Sequence, residues 1–542
     1  MASQEAIATL VQWVASHGGH LHPAVEVYSD PATGLSLRVR PDCAGIDPLE
    51  PIVRLPTVLS LSYLNAVGGR PGPSLYRSPS RAQQDEGQDE DQGPQQDGDQ
   101  SPAFPPDVMA RTPPHVIGRL LLAREFLRGR RSPWWPYIEA LPQPGDPRAW
   151  RLPAFWDDDA GEAELLAGTN LEVGIAKIRG DARREWAAAR ELLDEAGALG
   201  GLTQELHDWA FCVFSSRSFR PALVLPEREW GGGATGERMA LPRGVRVDDF
   251  GVLLPLLDIG NHDMTAPARW VVWGAGEAEG ERGGAGEREG GRDGETARGA
   301  VELVVDRAHG AGEQVFNNYS MKTNAELLLG YGFMVPATRV LHNDYVHVRR
   351  RGGDAGQEWL ISRRPIGDAS SMVVRAREGL ASTTTAAIST TGGSSSGDGK
   401  KKKGEEEEEG AGGAPVLPCF ERVQAGMVWD IFRMMAGEDG HEALIPLDGE
   451  AVPEERHEEE RRRRFLAGRV SEDGRELLEQ AAAVIQHKLL QELERLDETE
   501  VWVTGDEASR SLSPRARLAL EYRRSCRQVL EGCLERMEMD GL

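Results

Sequence analysis

The chain has 542 residues, a formal net charge of −25 at pH 7 and a hydrophobic fraction of 39%, long enough for about two to four domains with cores of their own. The acidic balance argues against a nucleic-acid-binding protein, which needs a basic face. No apolar run reaches the roughly 18 residues that a membrane span requires. The five cysteines, at positions 43, 212, 419, 526 and 533, form no Cys-x-x-Cys pair, so neither a disulfide framework nor a structural zinc site is supported.

Residues 5–14 form an amphipathic helix with Ile7, Leu10, Val11 and Val14 on one side. They carry no basic region followed by an apolar stretch, so a cleaved targeting peptide is not expected. A soluble monomer in the cytoplasm is the expectation, with a nuclear location as the alternative. Gly18 and Gly19 end the helix. Residues 22–28 and 34–39 alternate apolar and polar and read as strands, with Thr33, Gly34 and Leu35 at the hairpin turn between them. A third strand covers 52–55. Residues 83–101 are almost all Gln, Asp, Glu and Gly and cannot bury enough apolar surface to offset chain entropy.

From 107 to 210 the pattern is helical, strongest over 115–127, then over 165–172 and 182–198, with Trp186 a core residue. Between them Trp134, Trp135 and Tyr137 sit among prolines. That cluster suits a ligand platform or the packing of a helix end, and packing is favoured. The apolar run 209–214 is buried and ends in Ser215, Ser216, Arg217 and Ser218. An Arg at the end of a buried element holds either a ligand carboxylate or a structural Asp or Glu, the latter favoured for the residue taken alone.

Residues 254–262 are an apolar run that delivers Asp258, Asn261 and His262. The strands at 269–273 and 300–305 flank a Gly, Glu and Arg mixture, 274–299, read as a flexible insertion. Residues 312–319 form a turn and a strand ending in Tyr319, and 324–333 a helix ending in Tyr331 and Phe333. Strands follow at 345–349 and 358–362. Residues 377–415 are low in complexity, with Lys400 to Lys403 followed by Glu405 to Glu409; a solvated linker is favoured over a nuclear address. Residues 420–435, 476–494 and 514–537 are amphipathic helices. In the last, Leu518, Leu520, Tyr522, Val529, Leu530, Cys533 and Leu534 form the apolar stripe, and Cys526 and Cys533 share its buried face. Arg461 to Arg464 follow Glu458 to Glu460 and fit helical charge pairs.

No one of these motifs is specific. Asn261 and His262 lack a partner at metal-ligand spacing, so no metal is expected. The order is specific: Gly34-Leu35, then Ser216-Arg217, then Asp258-x-x-Asn261-His262, then Gly312-Glu313 leading to Tyr319, then Asn324-Ala-Glu to Gly330-Tyr331-Gly332-Phe333. It resembles the SET-domain protein methyltransferases, and within them the Rubisco large-subunit lysine methyltransferase-like class. The resemblance implies a mainly β SET fold of small sheets with pseudoknot-like closure, an inserted helical subdomain, and an all-α C-terminal domain that presents the substrate protein. On this chain the layout is 1–76 (first part of SET), 77–106 (acidic insertion) and 107–208 (helical insert). It continues with 209–345 (second part of SET), 346–376 (strand-containing connection), 377–416 (linker) and 417–542 (substrate-binding helices).

The resemblance further implies S-adenosylmethionine as cofactor and a non-histone protein as partner. Thr33, Gly34, Leu35, Arg217, Asn261, His262 and Tyr319 would hold the cofactor. Ser216, Asp258, Tyr331 and Phe333 would line the lysine site, and Tyr319 would be catalytic. The usual Gly-x-Gly-Leu appears here as Gly34-Leu35-Ser36-Leu37, so a second glycine is replaced by serine. Substrates in this class include Rubisco, ribosomal proteins, elongation factors and a histidine of actin. A histidine acceptor is therefore one alternative and a catalytically silent binding module another. Methyl transfer needs a neutral amine, whereas free Lys has a pKa of about 10.4. Burial and a neighbouring sulfonium lower that value, and alignment in a narrow channel supplies much of the rate.

Overall fold

Apolar side chains three and four apart draw the N-terminal segment into helix α1 (Gln4–Ser16), capped by the Ser3 hydroxyl, which accepts from the Ala6 N–H at 3.1 Å. Its buried face carries Ala6, Leu10, Trp13 and Val14. Ile7 and Val11, expected on that face, are only half-buried. The bulky Trp13 takes the core position and sets the rotation of the helix.

The computed structural model describes residues 2–31, 33–68, 102–156, 161–225, 241–242, 244–273, 299–349, 358–376, 416–437, 440–447, 453–500 and 512–539. The expected flexible segments 83–101, 274–299 and 377–415 lie outside the described residues, save for 299 at the end of the second. The chain divides into two compact units: Met1–Phe155 with Ile178–Tyr319, and Trp156–Lys177 with Ser320–Leu542.

The first unit holds β1 (His20–Leu21), β2 (Val25–Asp30), β3 (Gly34–Val39), β4 (Pro51–Pro56), β5 (Leu61–Ser62), β6 (Val252–Leu253), β7 (Ala268–Trp273), β8 (Ala300–Val305) and β9 (Gln314–Val315). They form three small antiparallel sheets, ordered β1-β4-β8-β7, β2-β3-β9 and β5-β6. Each sheet joins a strand from before residue 63 to one from after residue 251, so the intervening helices are an insertion into one β fold. The expected hairpin is present, with Val25 opposite Val39 and Asp30 opposite Gly34. Gly34 has φ +76°, a conformation that glycine takes without steric cost. All six residues of β8 are buried. Its one charge, Glu302, lies directly opposite Arg54 on β4 and accepts from it at 2.6 Å, which satisfies the buried carboxylate.

The inserted region contributes α2 (Pro114–Arg128), α3 (Leu171–Glu195) and α4 (Gln204–Arg217). The two helices expected at 165–172 and 182–198 are instead a 3-10 turn, Glu164–Leu166, and the single helix α3. Gly174 and Gly180 interrupt the propensity but do not break the helix. Trp186 is buried, as expected of a core residue. Trp134 and Tyr137 are buried too, in accord with the packing reading of that cluster, and Trp134 donates to the Leu59 carbonyl at 3.1 Å.

In the second unit, α5 (Asn324–Tyr331) begins with a capping box: Thr323 N–H donates to Glu326 at 2.7 Å and Glu326 N–H to Thr323 at 3.2 Å. The Asn324 amide donates to Val335 O and Asp344 and accepts from Val335 N and Asn343, between 2.7 and 3.0 Å. Every hydrogen-bonding capacity of this buried side chain is used, which pins the loop that carries Phe333. Strands β10 (Tyr345–Arg349) and β11 (Glu358–Ser362) pair antiparallel. Helices α6 (Ala425–Ala436), α7 (Glu472–Glu498) and α8 (Pro514–Met539) follow. In α8 the buried residues are Ala516, Ala519, Tyr522, Arg523, Cys526, Val529, Leu530, Cys533, Leu534 and Met537, while Leu518 and Leu520 are half-buried. The stripe is thus displaced onto Ala516 and Ala519 at its start. Arg463 and Arg464 both pair with Glu460, at 3.1 and 3.2 Å, the expected helical charge pairs. Among the described residues no helix is long and apolar enough to cross a membrane.

His342 is fully buried among hydroxyls, with Ser370 at 3.0 Å, Ser362 at 3.1 Å and Tyr345 at 3.3 Å. Burial and the nearby Arg364 lower its pKa to about 4. The folded pKa lies below the unfolded one, so the stabilisation is complete above about 6.5 and is lost as pH falls toward about 4. Denaturant midpoints measured across that window should fall with pH. In His342→Gln the slope should flatten; an unchanged slope would refute the role given to His342.

Candidate active site

The site is built where an apolar run meets a returning strand. Residues 252–260 are buried without interruption. Within them Leu256, itself buried, has φ +71°, a left-handed conformation that costs a branched side chain about 1–3 kcal/mol. That turn starts the 3-10 helix Leu257–Ile259 and sends Asp258 inward before the chain emerges at Asn261.

After β9 the chain passes alongside this segment. Asn317 N–H donates to Asn261 O at 2.7 Å, and Asp263 N–H donates to Asn317 O at 3.0 Å, giving a parallel bridge between His262 and Asn317. Gly260 makes room for the passage, since a Cβ there would lie 3.1 Å from Asn317 Cβ. The Asn317 side-chain oxygen accepts from Trp270 Nε1 at 3.1 Å and from Asn318 N–H at 2.8 Å. Asn317 is therefore a keystone of the closure that sequence reasoning missed. Its only signal was a polar residue inside the run 314–319.

The crossing brings His262 and Tyr319 together. Their rings stack with centroids 4.8 Å apart and planes 9° from parallel. Tyr319 N–H donates to His262 Nδ1 at 3.1 Å, which requires a neutral imidazole protonated on Nε2. The Tyr319 hydroxyl donates to Gly260 O at 2.8 Å. Asn261 Nδ2 donates to Ser36 Oγ at 2.6 Å and to Leu35 O at 3.3 Å, joining it to the β2–β3 turn. Thr33, Gly34, Leu35, Asn261, His262 and Tyr319 thus lie in one connected patch of the first unit.

A second cluster adjoins it. Arg217, at the end of α4, reaches Asp258 Oδ2 at 3.3 Å and the Asp258 carbonyl at 3.4 Å. The Tyr137 hydroxyl donates to the same Oδ2 at 2.9 Å. Burial pushes the Asp258 carboxyl upward, against the lowering pull of Arg217 and Tyr137. Burial opposes the Arg217 charge, yet Asp258, Tyr137 and Tyr319 together hold its pKa above the ordinary value. Burial and then Asp258 keep Tyr137 well above the ordinary phenol range. Tyr137 was read from sequence as packing alone; nothing in its local pattern marked a hydroxyl that binds a carboxylate 121 residues away. Ser216 spends its hydroxyl on the Cys212 carbonyl at 2.8 Å, within its own helix.

Tyr331 and Phe333 belong to the second unit. Their rings meet edge to face with centroids 6.2 Å apart, and both are half-buried. Burial and then Glu326 raise the Tyr331 pKa. Gly332 between them has φ +79° and ends α5. Among the described residues no group of three or more His, Cys, Asp or Glu is placed to hold a metal ion.

Tyr137→Phe should destabilise the protein by about 1.5–3 kcal/mol, the range for a hydrogen bond to a charged group. The folded pKa of Asp258 lies above its unfolded value, so its stabilising contribution is present below the unfolded pKa and lost as pH rises through the folded one. Without the Tyr137 hydroxyl that loss should extend to higher pH. Denaturant midpoints measured against pH check both; superimposable wild-type and variant curves would dismiss the contact.

No protein-family model matches the chain. The ribosomal lysine N-methyltransferase set10 of Schizosaccharomyces pombe is 27% identical over 215 residues, a stretch covering 40% of this chain and 30% of that protein. The aligned part thus spans less than a third of the relative's length. The crystal structure of the SET domain of LSMT bound to lysine and AdoHcy superposes with a TM-score of 0.51 at 17% identity, over 99% of this chain and 91% of that one. The structure of Rubisco LSMT bound to AdoMet gives a TM-score of 0.51 at 16% identity, over 98% and 92% of the two chains. The small sheets joined around a helical insert and these superpositions establish the architecture: this chain has the fold of those structures, a SET fold with a helical domain.

Proposed function

We propose that the chain is an S-adenosylmethionine-dependent protein-lysine N-methyltransferase. The observation that carries this reading is the junction of Asn261, His262 and Tyr319 at the crossing, beside the turn at Gly34. The residues present fit the cofactor. A Cβ on Gly34 would meet no atom within 4 Å, so the turn leaves room for a ligand against its backbone. Asn261 offers a carbonyl oxygen that suits an ammonium, and Arg217 a guanidinium that suits a carboxylate. When bound, S-adenosylmethionine supplies an electrophilic methyl on a sulfonium.

The chain's own part is to bind, orient and desolvate the amine. Tyr319 commits its proton to Gly260 O, so toward an amine N–H its oxygen acts as an acceptor. A neutral phenol can therefore orient the amine lone pair without adding a charge. Asp258 keeps its carboxylate against Arg217 and Tyr137, which suits a wall of the lysine site better than a general base. For Ser216, Tyr331 and Phe333 the substrate-contacting role rests on the motif. The acceptor proposed is a non-histone protein, with ribosomal proteins first in line because the S. pombe relative is named for them.

Whole-cell extract incubated with labelled S-adenosylmethionine should yield a labelled protein whose modified residue, identified by mass spectrometry, is lysine. Modified histidine would assign the alternative acceptor. On that substrate Tyr319→Phe should lower kcat by about 10²-fold, the scale of a lost alignment, with little change in KM for the cofactor. A wild-type rate in the variant would remove Tyr319 from the chemistry.

A further inference from the structure

Ser36 stands where the related glycine loop has a second glycine, yet the structure gives it a full set of partners. It is completely buried. Its hydroxyl donates to Gly34 O at 3.2 Å. It accepts from Asn261 Nδ2 at 2.6 Å and shares a bond with Thr33 Oγ1 at 2.9 Å. Gln314 of β9 donates to Thr33 Oγ1 at 3.5 Å. A relay thus runs from Gln314 through Thr33 to Ser36, where it meets Asn261.

The relay settles which end of the Asn261 amide faces inward. Leu35 O can only accept, so the Asn261 atom 3.3 Å from it must be the nitrogen. The other amide hydrogen goes to Ser36 Oγ. Both donors are spent on β3, and the carbonyl oxygen is the end turned away from it. Among the described residues no donor is recorded to that oxygen. With glycine at 36 the second hydrogen bond would vanish, and the amide would rotate more freely about its terminal torsion, which is intrinsically broad.

We propose that Ser36 is a positioning residue of the ligand site: its hydroxyl locks the Asn261 amide so that the carbonyl oxygen is presented to a ligand ammonium group. The serine thereby supplies by side-chain hydrogen bonding the order that a glycine loop obtains from backbone geometry. The inference rests on the cofactor reading above and adds to it a determinant of selectivity for the α-amino group.

The test compares S-adenosylhomocysteine with its analogue lacking the α-amino group, each titrated calorimetrically into the full chain. Wild type should prefer the amine-bearing ligand. In Ser36→Ala that ligand should lose about ten-fold in affinity, the loss of one hydrogen bond's worth of order, while the analogue is unaffected and the preference collapses. KM for the methyl donor should rise in step, with kcat at saturation retained. Thr33→Val, at an exposed position, should move the preference in the same direction by a smaller factor, and it stands in if Ser36→Ala does not fold. A preference unchanged in the folded variants overturns this inference alone. Failure of wild type to bind either ligand overturns the cofactor reading and this inference with it.

Discussion

The passage of Asn317 beside residues 261–263 is the constraint on which the rest of the site depends. Residues 252–260 are buried, so every backbone polar group there must find a partner inside the protein. At the end of that run the partner comes from a segment more than 50 residues later, through the Asn317 N–H and carbonyl. Gly260 eases the crossing, since a Cβ there would press on Asn317 Cβ at 3.1 Å. Once made, it dictates the rest: Tyr319 must follow two residues on, stacked on His262, with its N–H on Nδ1 and its hydroxyl on Gly260 O. Ring orientation, tautomer and hydroxyl direction are consequences of one backbone crossing.

A second constraint is electrostatic. Asp258 cannot stay ionised in its buried position without compensation, because desolvation of a lone carboxylate costs several kcal/mol. Arg217 and Tyr137 supply that compensation from elements that belong to the helical insert, the end of α4 and the short helix Trp135–Ile138. The insert is thus tied to the β fold through a charge as well as through packing. This also explains why a residue read as packing alone carries a hydroxyl: phenylalanine would fill the same volume but leave Oδ2 with one partner fewer.

The polar groups around the turn at Gly34 follow the same logic on a smaller scale. A serine at a fully buried position is costly unless its hydroxyl is satisfied. Here the satisfaction comes from Asn261, so local stability and the orientation of that amide are one interaction. The second unit repeats the pattern at Asn324, whose amide is saturated by the loop it anchors.

Much of this was legible in the chain. Alternation over 22–28 and 34–39 marked the first strands, apolar spacing marked the long helices, and the order of short motifs pointed to the SET architecture, because strand and helix periods are local properties of side-chain placement. Local pattern also determined that Asn261, His262 and Tyr319 follow or end apolar runs and that Asp258 interrupts one. Only the tertiary structure decided what they meet. Tyr137, Asn317 and the partners of Ser36 could not be read, since each acts through hydrogen bonds to residues between 47 and 225 positions away in the chain. Periodicity carries no information at that separation: which distant segments become neighbours is set by sheet register and by a backbone crossing, and those are settled by the packing of the whole unit.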